Sequence, residues 1–256
     1  ELMLDVLEMC SGQRMMTSYF RPGGLWRDLP TEFEPAVRQF LKIIPDRIDQ
    51  YEDLLTNNPM YIERTRDVGV IYSEQALQIG MTGPPLRATG VPLDMRREQP
   101  YSGYEQFDFE IPTATAGDTY ARYAVRMQEM RQSVRIVQQA LDSMPGGPFR
   151  SNNRKFVPPP RAELGHSMEA VIHHFKLWTE GFPAPKGSVY LPVESPRGVL
   201  GCFLEGDGGP KPYRVHFRTP SFANIQALPI LAKGHLVADV VAILSSLDPI
   251  LGDIDR

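Results

Sequence analysis

One long periodic stretch constrains this chain more than any other. From about Asp118 to Met144, Tyr120, Tyr123, Met127, Met130, Val134, Val137 and Leu141 recur at alternating spacings of three and four. That period places all of them on one stripe of a single helix, the seam of a bundle, which asks for other helices to cover it. Arg122, Arg126, Glu129, Arg131 and Arg135 fall on the flanks of the stripe.

A second helix is predicted over Arg161 to Glu180, with Met168, Val171, Ile172, Phe175 and Trp178 buried and Gly181 as its stop. Further helices are predicted at Leu2–Met16, at Glu34–Leu55 with a break at Pro45, and at Ser73–Ile79, Ile225–Ala232 and Leu236–Leu247. Between Gly187 and Phe217 the period turns from helical to alternating. Val189–Val193, Val199–Leu204 and Tyr213–Phe217 read as strands, with the Asp207-Gly208-Gly209 turn before the third. The fold class that follows is mainly α with a small antiparallel β meander. The expected organisation is a helical body with long ordered loops over 1–186, a three-stranded β appendage over 187–218, and C-terminal helices over 219–256 returning to the body. Most of the 24 prolines sit between the periodic segments, where they punctuate helices and stiffen connections.

Composition narrows the function less. At 256 residues, with 42% hydrophobic and 23% charged, the chain has the make-up of an ordinary soluble protein. No apolar run approaches the ~20 residues of a membrane span, and the longest, Val237 to Leu244, is interrupted by Asp239. A net charge of −4 argues against nucleic acid as a partner. Cys10 and Cys202 make no disulfide framework and have no C-x-x-C partner, so they read as free thiols in a reducing compartment. No signal peptide is visible, and the chain opens inside a helical pattern, from which an absent N-terminal part is expected.

Several segments invite chemical readings. Arg14 and Arg21 flank a helix end and a Pro22-Gly23-Gly24 turn, and either arginine could meet an anion or face solvent. Thr82 to Tyr104 is a polar loop rich in glycine and arginine, without the spacing of a phosphate loop. Its Arg87, Arg96 and Arg97, close to Asp94, fit an internal salt-bridge hub and a docking surface equally well. His173 and His174 are adjacent, so on a helix they point about 100° apart and cannot face one ion. No nucleophile–base arrangement or paired carboxylate emerges from spacing. On the residues alone an enzyme and an assembly module remain open.

The last nine residues add a resemblance. Asp248-Pro249-Ile250-Leu251-Gly252-Asp253-Ile254-Asp255-Arg256 is similar to the ending of nickel–iron hydrogenase large subunits, with Ile250 and Asp253 standing where the metal-binding cysteines would be and Arg256 in place of a histidine. Soft metals need thiolate or imidazole donors, and Ile250 offers neither. Such an ending resembles the D subunit of bacterial proton-pumping NADH:quinone oxidoreductase, respiratory complex I. Further blocks carry the likeness along the chain, including Gly12-x-Arg14, Arg21-Pro22-Gly23-Gly24, Asp28-Leu29-Pro30, Leu86-Arg87-Ala88, Arg126-x-x-Glu129-Met130, Pro158-Pro159-Pro160-Arg161 and Pro212-Tyr213-Arg214.

This resemblance implies a hydrogenase large-subunit-like helical bundle on the cytoplasmic side of the bacterial inner membrane, peripheral to it. It implies a quinone cavity shared with the B subunit, which carries the terminal iron–sulfur cluster. Further partners would be the C and I subunits and the membrane H subunit of an enzyme that oxidises NADH and translocates protons. By position Ile250, Leu251 and Gly252 would line the quinone cavity, while Arg14 and Met16 would face the cluster. No cofactor and no metal would be bound by the chain itself, quinone being a substrate. The family's histidine and tyrosine donors to quinone would lie before residue 1, leaving no catalytic residue here and an isolated fragment inactive. Where many family members have a histidine, this chain has Met16, which cannot titrate. A ferredoxin- or deazaflavin-fed quinone reductase, an energy-converting hydrogenase and a non-catalytic scaffold are the competing readings.

Overall fold

The computed structural model describes residues 1–255. Arg256, the counterpart of the hydrogenase histidine, lies outside the described residues. In chain order the elements are α1 (Leu2–Ser11), β1 (Phe20–Arg21), β2 (Gly24–Leu25), α2 (Phe33–Leu55), α3 (Pro59–Thr65), α4 (Ser73–Gln78), α5 (Pro84–Arg87), α6 (Met95–Glu98) and α7 (Thr119–Asp142). They continue with α8 (Met168–Thr179), β3 (Gly187–Ser195), β4 (Gly198–Gly206), β5 (Arg214–Arg218), α9 (Pro220–Ile225), α10 (Leu228–Ala232), α11 (Val237–Leu247) and α12 (Leu251–Asp255). The chain is thus mainly helical, with a two-stranded ribbon and a three-stranded antiparallel sheet in the order β3-β4-β5.

Contacts divide the chain into two units. The first comprises Glu1–Ile43, Ser143–Val189 and Leu204–Val215, and the second Ile44–Asp142, Tyr190–Phe203 and His216–Arg256.

In the first unit, α1 ends at Gly12, whose φ of 78° is the left-handed cap that glycine accommodates. The helix therefore stops short of the expected Met16. The ribbon β1–β2 pairs Phe20 with Leu25 and Arg21 with Gly24 around the Pro22-Gly23 turn. The ribbon is pinned to 149–151, because Leu25 N–H donates to the Phe149 carbonyl at 3.0 Å and Ser151 N–H to Gly23 at 2.8 Å. A Cβ on Gly24 would stand 2.6 Å from the Phe149 carbonyl oxygen, so only glycine fits this approach. The segment expected to be one helix over 161–180 is a 3-10 turn, Arg161–Gly165, followed by α8, which Ser167 caps through the Ala170 N–H. Periodicity alone would bury the apolar side chains of α8. Instead Met168, Ile172, Phe175 and Trp178 are 76%, 50%, 63% and 67% exposed, because nothing among the described residues packs over that face.

The second unit holds the larger core. Ile71, Ala76, Met81, Leu86, Ala227, Leu231, Ile243 and Leu247 form one buried cluster spanning α4, α5, α10 and α11. Helix α7 runs nearly as expected, but its buried face differs: it consists of Thr119, Ala121, Arg122, Val125, Met127, Ile136 and Leu141, with Met130 and Val137 exposed. Arg122, placed on a flank by periodicity, is fully buried. Four acceptors explain how. Its Nε donates to Ser246 Oγ at 2.8 Å, Nη1 to the Gly117 carbonyl at 2.9 Å, and Nη2 to the Gly69 carbonyl and Thr119 Oγ1 at 3.0 Å each, while the Asp118 carboxylate favours its charge. Burial nonetheless pulls its pKa down to about 10.

Helix α2 does not break at Pro45, but continues through it. Proline removes one N–H donor without stopping a helix whose neighbouring residues keep their helical pattern.

Candidate functional site

The second unit gathers charge around the C-terminal tail. Its centre is Arg87, delivered by the single turn of α5, with prolines in the first two positions, where a missing N–H costs nothing. The turn begins at Gly83, φ 74°, whose missing Cβ lets Gly198 come close: a Cβ there would stand 2.5 Å from both Gly198 Cα and the Arg197 carbonyl oxygen. Asn224 ties the two segments, donating from Nδ2 to the carbonyls of Thr82 at 3.3 Å and Arg197 at 3.2 Å and accepting from Thr82 N–H at 3.1 Å. Loop 82–83 and loop 197–198 are therefore one rigid support.

Arg87 is buried among carboxylates. Its Nε donates to Glu129 of α7 at 2.6 Å, and its Nη1 to Glu194 of β3 and to the Leu93 carbonyl, each at 2.8 Å. Asp94 caps α6 through Arg96 N–H and grips the Arg96 guanidinium at 2.6 Å. Burial pushes the Glu194 carboxyl up from its ordinary range, with Arg87 pulling the other way. Of the two readings left open for the loop arginines, the internal hub is the one present for Arg87 and Arg96. Arg97 lies over the Phe109 ring and donates to that residue's carbonyl at 2.6 Å.

One turn of α7 before Glu129 lies Arg126. It donates from Nη1 to the Arg122 carbonyl at 3.3 Å, but its Nε and Nη2 are shut off from solvent with no partner among the described residues. Burial lowers its pKa, and Asp248 is the foremost charge acting in the opposite direction. Asp248 closes α11 in the left-handed conformation, φ 52°. Arg197 holds it, donating from Nε to its carbonyl at 3.1 Å and from Nη2 to its carboxylate at 3.4 Å. Arg126 and Asp248 line two neighbouring clefts. One, of about 370 Å³, is lined by the hydroxyl-bearing residues Tyr61, Thr65, Thr119, Tyr123, Ser245 and Ser246; the other, of about 430 Å³, holds Arg87, Glu129 and Glu194.

The tail residues singled out from sequence follow Asp248. Ile250 is 43% exposed and Leu251 80%, and no atom lies within 4 Å of where a Gly252 Cβ would be. None of the three lines either cleft. The tail is tied down by Asp253, which accepts from Ser221 N–H at 2.9 Å, and by Ile250 N–H, which donates to Ser221 Oγ at 3.5 Å. The position of a metal-binding cysteine in the hydrogenase ending is thus a carboxylate that anchors helix α9. Among the described residues no group of three or more His, Cys, Asp or Glu side chains is arranged to hold a metal ion.

Arg14 and Met16 belong to the first unit. Arg14 bridges Glu1, Asp5 at 3.1 Å and Glu8 at 3.3 Å along α1, and Met16 is 93% exposed with φ 54°. Sequence reasoning missed Arg126, Glu129, Glu194 and the Arg197–Asp248 pair as members of one cluster. A signal existed: Asp118, Arg122, Arg126 and Glu129 follow one another at spacings of four, four and three, which is a single helix face.

The whole chain, residues 1–256, matches the family described as respiratory-chain NADH dehydrogenase, 49 Kd subunit. The chain belongs to that family. It is similar to a D subunit of the NADH-quinone oxidoreductase of Chloroflexus aurantiacus, at 59% identity over 259 residues, covering 100% of this chain and 63% of the relative. It is also similar to the D subunits of the same enzyme from Solibacter usitatus and Thermus thermophilus, each 52% identical over 256 residues, with the same coverage of 100% and 63%. The chain therefore spans under two thirds of the length of these 49 kDa-family relatives. Among the described residues no helix is long and apolar enough to cross a membrane.

Proposed function

We propose that this chain forms the quinone-facing part of a D-type subunit in an NADH:quinone oxidoreductase. The relatives' names supply the complex and its electron acceptor. The observation that carries the reading to this chain is its tail: apolar Ile250 and Leu251 stand 43% and 80% exposed on a backbone that Arg197, Ser221 and Asp253 hold in place. Apolar walls on a fixed support suit a quinone ring, which needs shape and few polar contacts. Ile250 and Leu251 would pack against the ring, and Gly252 would let the backbone come close.

In this reading the cavity is completed by an iron–sulfur B subunit, and Arg14 and Met16 face that partner's cluster. The C, I and membrane H subunits complete the surroundings, on the cytoplasmic side of the bacterial inner membrane. Electrons from NADH reach quinone through the partner, and reduction is coupled to proton translocation. The chain's own residues position the quinone and exclude water from it. No atom of the chain described here exchanges electrons.

Affinity purification of the full-length protein from its native membrane tests this. The expected result is co-purification with an iron–sulfur B-type subunit and NADH oxidation inhibited competitively with quinone. Recovery without such a subunit, or bound nickel in the polypeptide, overturns the reading.

A further inference from the structure

The first unit contains a cleft of its own. It measures about 780 Å³ and is lined by Arg21, Arg150 and Arg161, by Trp26, and by His174 and Trp178 of α8, with proline and aliphatic walls and no carboxylate. None of its three arginines makes an ion pair among the described residues. Arg21 donates to the Ser18 carbonyl at 3.3 Å and lies against Trp26, and Arg150 lies on the Phe149 ring. The nearby carboxylate of Glu163 is taken by Arg154 at 3.0 Å. The cations are held apart by backbone: the Pro22-Gly23-Gly24 turn and the 149–151 strand are hydrogen-bonded together, so Arg21 and Arg150 stay on the same cleft. Guanidiniums without an ion pair along a partly apolar cleft call for carboxylates or phosphates.

We infer that this cleft receives an acidic segment of a partner polypeptide, with carboxylates against Arg21, Arg150 and Arg161 and apolar side chains along α8. The exposed face of α8 decides for a polypeptide over a small anion. Met168, Ile172 and Phe175 continue the line of Trp178 along the helix at spacings of three and four. A helix of 12 residues presents about 18 Å of that line. A phosphate or nucleotide would sit in the cleft and leave the strip bare, whereas a polypeptide covers both. The flanks of the strip carry Glu169 and Glu180 beside His173 and Lys176, a mixture poorly suited to an anionic lipid surface. The inference rests on the family's multi-subunit character and not on the quinone assignment, so each can fail without the other.

Photo-cross-linking in the assembled complex tests it. With Trp178 replaced by the photoreactive residue p-benzoylphenylalanine in the full-length protein, irradiation is expected to give an adduct with a partner peptide that carries two or more Asp or Glu close to the linked residue. Arg150→Glu with Arg161→Glu should lower the yield at least roughly tenfold, as like charges across an interface demand. The milder Arg150→Gln with Arg161→Gln should lower it less, in the same direction. A cross-link within the same polypeptide, an adduct with lipid alone, a linked peptide without acidic residues, absence of any adduct, or a yield insensitive to both charge changes overturns the inference.

Discussion

Arg197 holds both the main chain and the side chain of Asp248, at 3.1 Å to the carbonyl and 3.4 Å to the carboxylate. The residue so held is one of four non-glycine positions with positive φ among the described residues, a conformation asparagine and aspartate tolerate better than most. The tail that carries Ile250 thus leaves α11 through a bend that a single guanidinium stabilises.

Arg197→Lys keeps the charge and loses the fork, since an ammonium cannot reach both acceptors in one plane. Both partners are partly exposed, so the loss should be modest, about 1 kcal/mol. A fall of roughly 2–4 °C in the melting temperature of the full-length protein is expected. Asp248→Asn, which retains the bend, should cost less than Asp248→Val, whose branched side chain resists positive φ.

Arg122 and Arg126 lie one turn apart on α7 and should respond differently to the same change. Arg122→Met strands the Gly117 and Gly69 carbonyls and removes the partner of Ser246 and Thr119, and should cost about 3 kcal/mol or more. Arg126→Met removes two N–H groups that have no partner among the described residues and should change stability by about 1 kcal/mol or less, in either direction. Denaturant unfolding of the two variants measures the contrast. Equal losses would mean that Arg126 has a strong acceptor in the assembled protein.

Glu194 gives the cluster a pH dependence. Burial raises its folded-state pKa above the ordinary 4.5, so in that window the folded chain binds more protons than the unfolded one. Its contribution is complete below the ordinary carboxylate range and is lost as pH rises through the raised value. The stability of the native protein relative to Glu194→Gln should therefore fall as pH rises out of the ordinary carboxylate range. A difference that grows with pH would show Arg87 outweighing burial.

Much of the fold was legible, and the site less so. The strands between Gly187 and Arg218 and the long helix α7 follow from periodicity, because alternation and the 3.6-residue repeat report directly on which side chains share a face. Periodicity misjudged Arg122 because it treats arginine as solvent-facing, whereas acceptors from two distant segments, at Gly69 and Ser246, and from the start of its own helix bury it. It misjudged Trp178 and Phe175 in the other direction, since an apolar stripe says only that something covers it, not that this chain does. The Arg87–Glu194 and Arg197–Asp248 pairs join residues far apart in sequence, and no local pattern announces such pairs.

Met16 bears on the neighbouring cluster proposed above. A histidine about 5 Å from a cluster, at an effective dielectric near 20, couples to its charge by about 3 kcal/mol, roughly two pKa units. A methionine thioether does not. In the assembled complex the cluster potential should be nearly independent of pH around neutrality, and Met16→His should make it fall as pH rises. Redox titration at several pH values measures both. A clear slope in the native complex would contradict the assignment.

Quinone kinetics of the Ile250→Phe variant, in the assembled complex, probe the tail itself. A bulkier ring projecting from a fixed backbone should raise the quinone KM and weaken quinone-site inhibitors at least roughly fivefold, about 1 kcal/mol of lost fit, while subunit assembly is retained. Native KM and native inhibitor sensitivity in a fully assembled Ile250→Phe complex would contradict a tail that touches quinone.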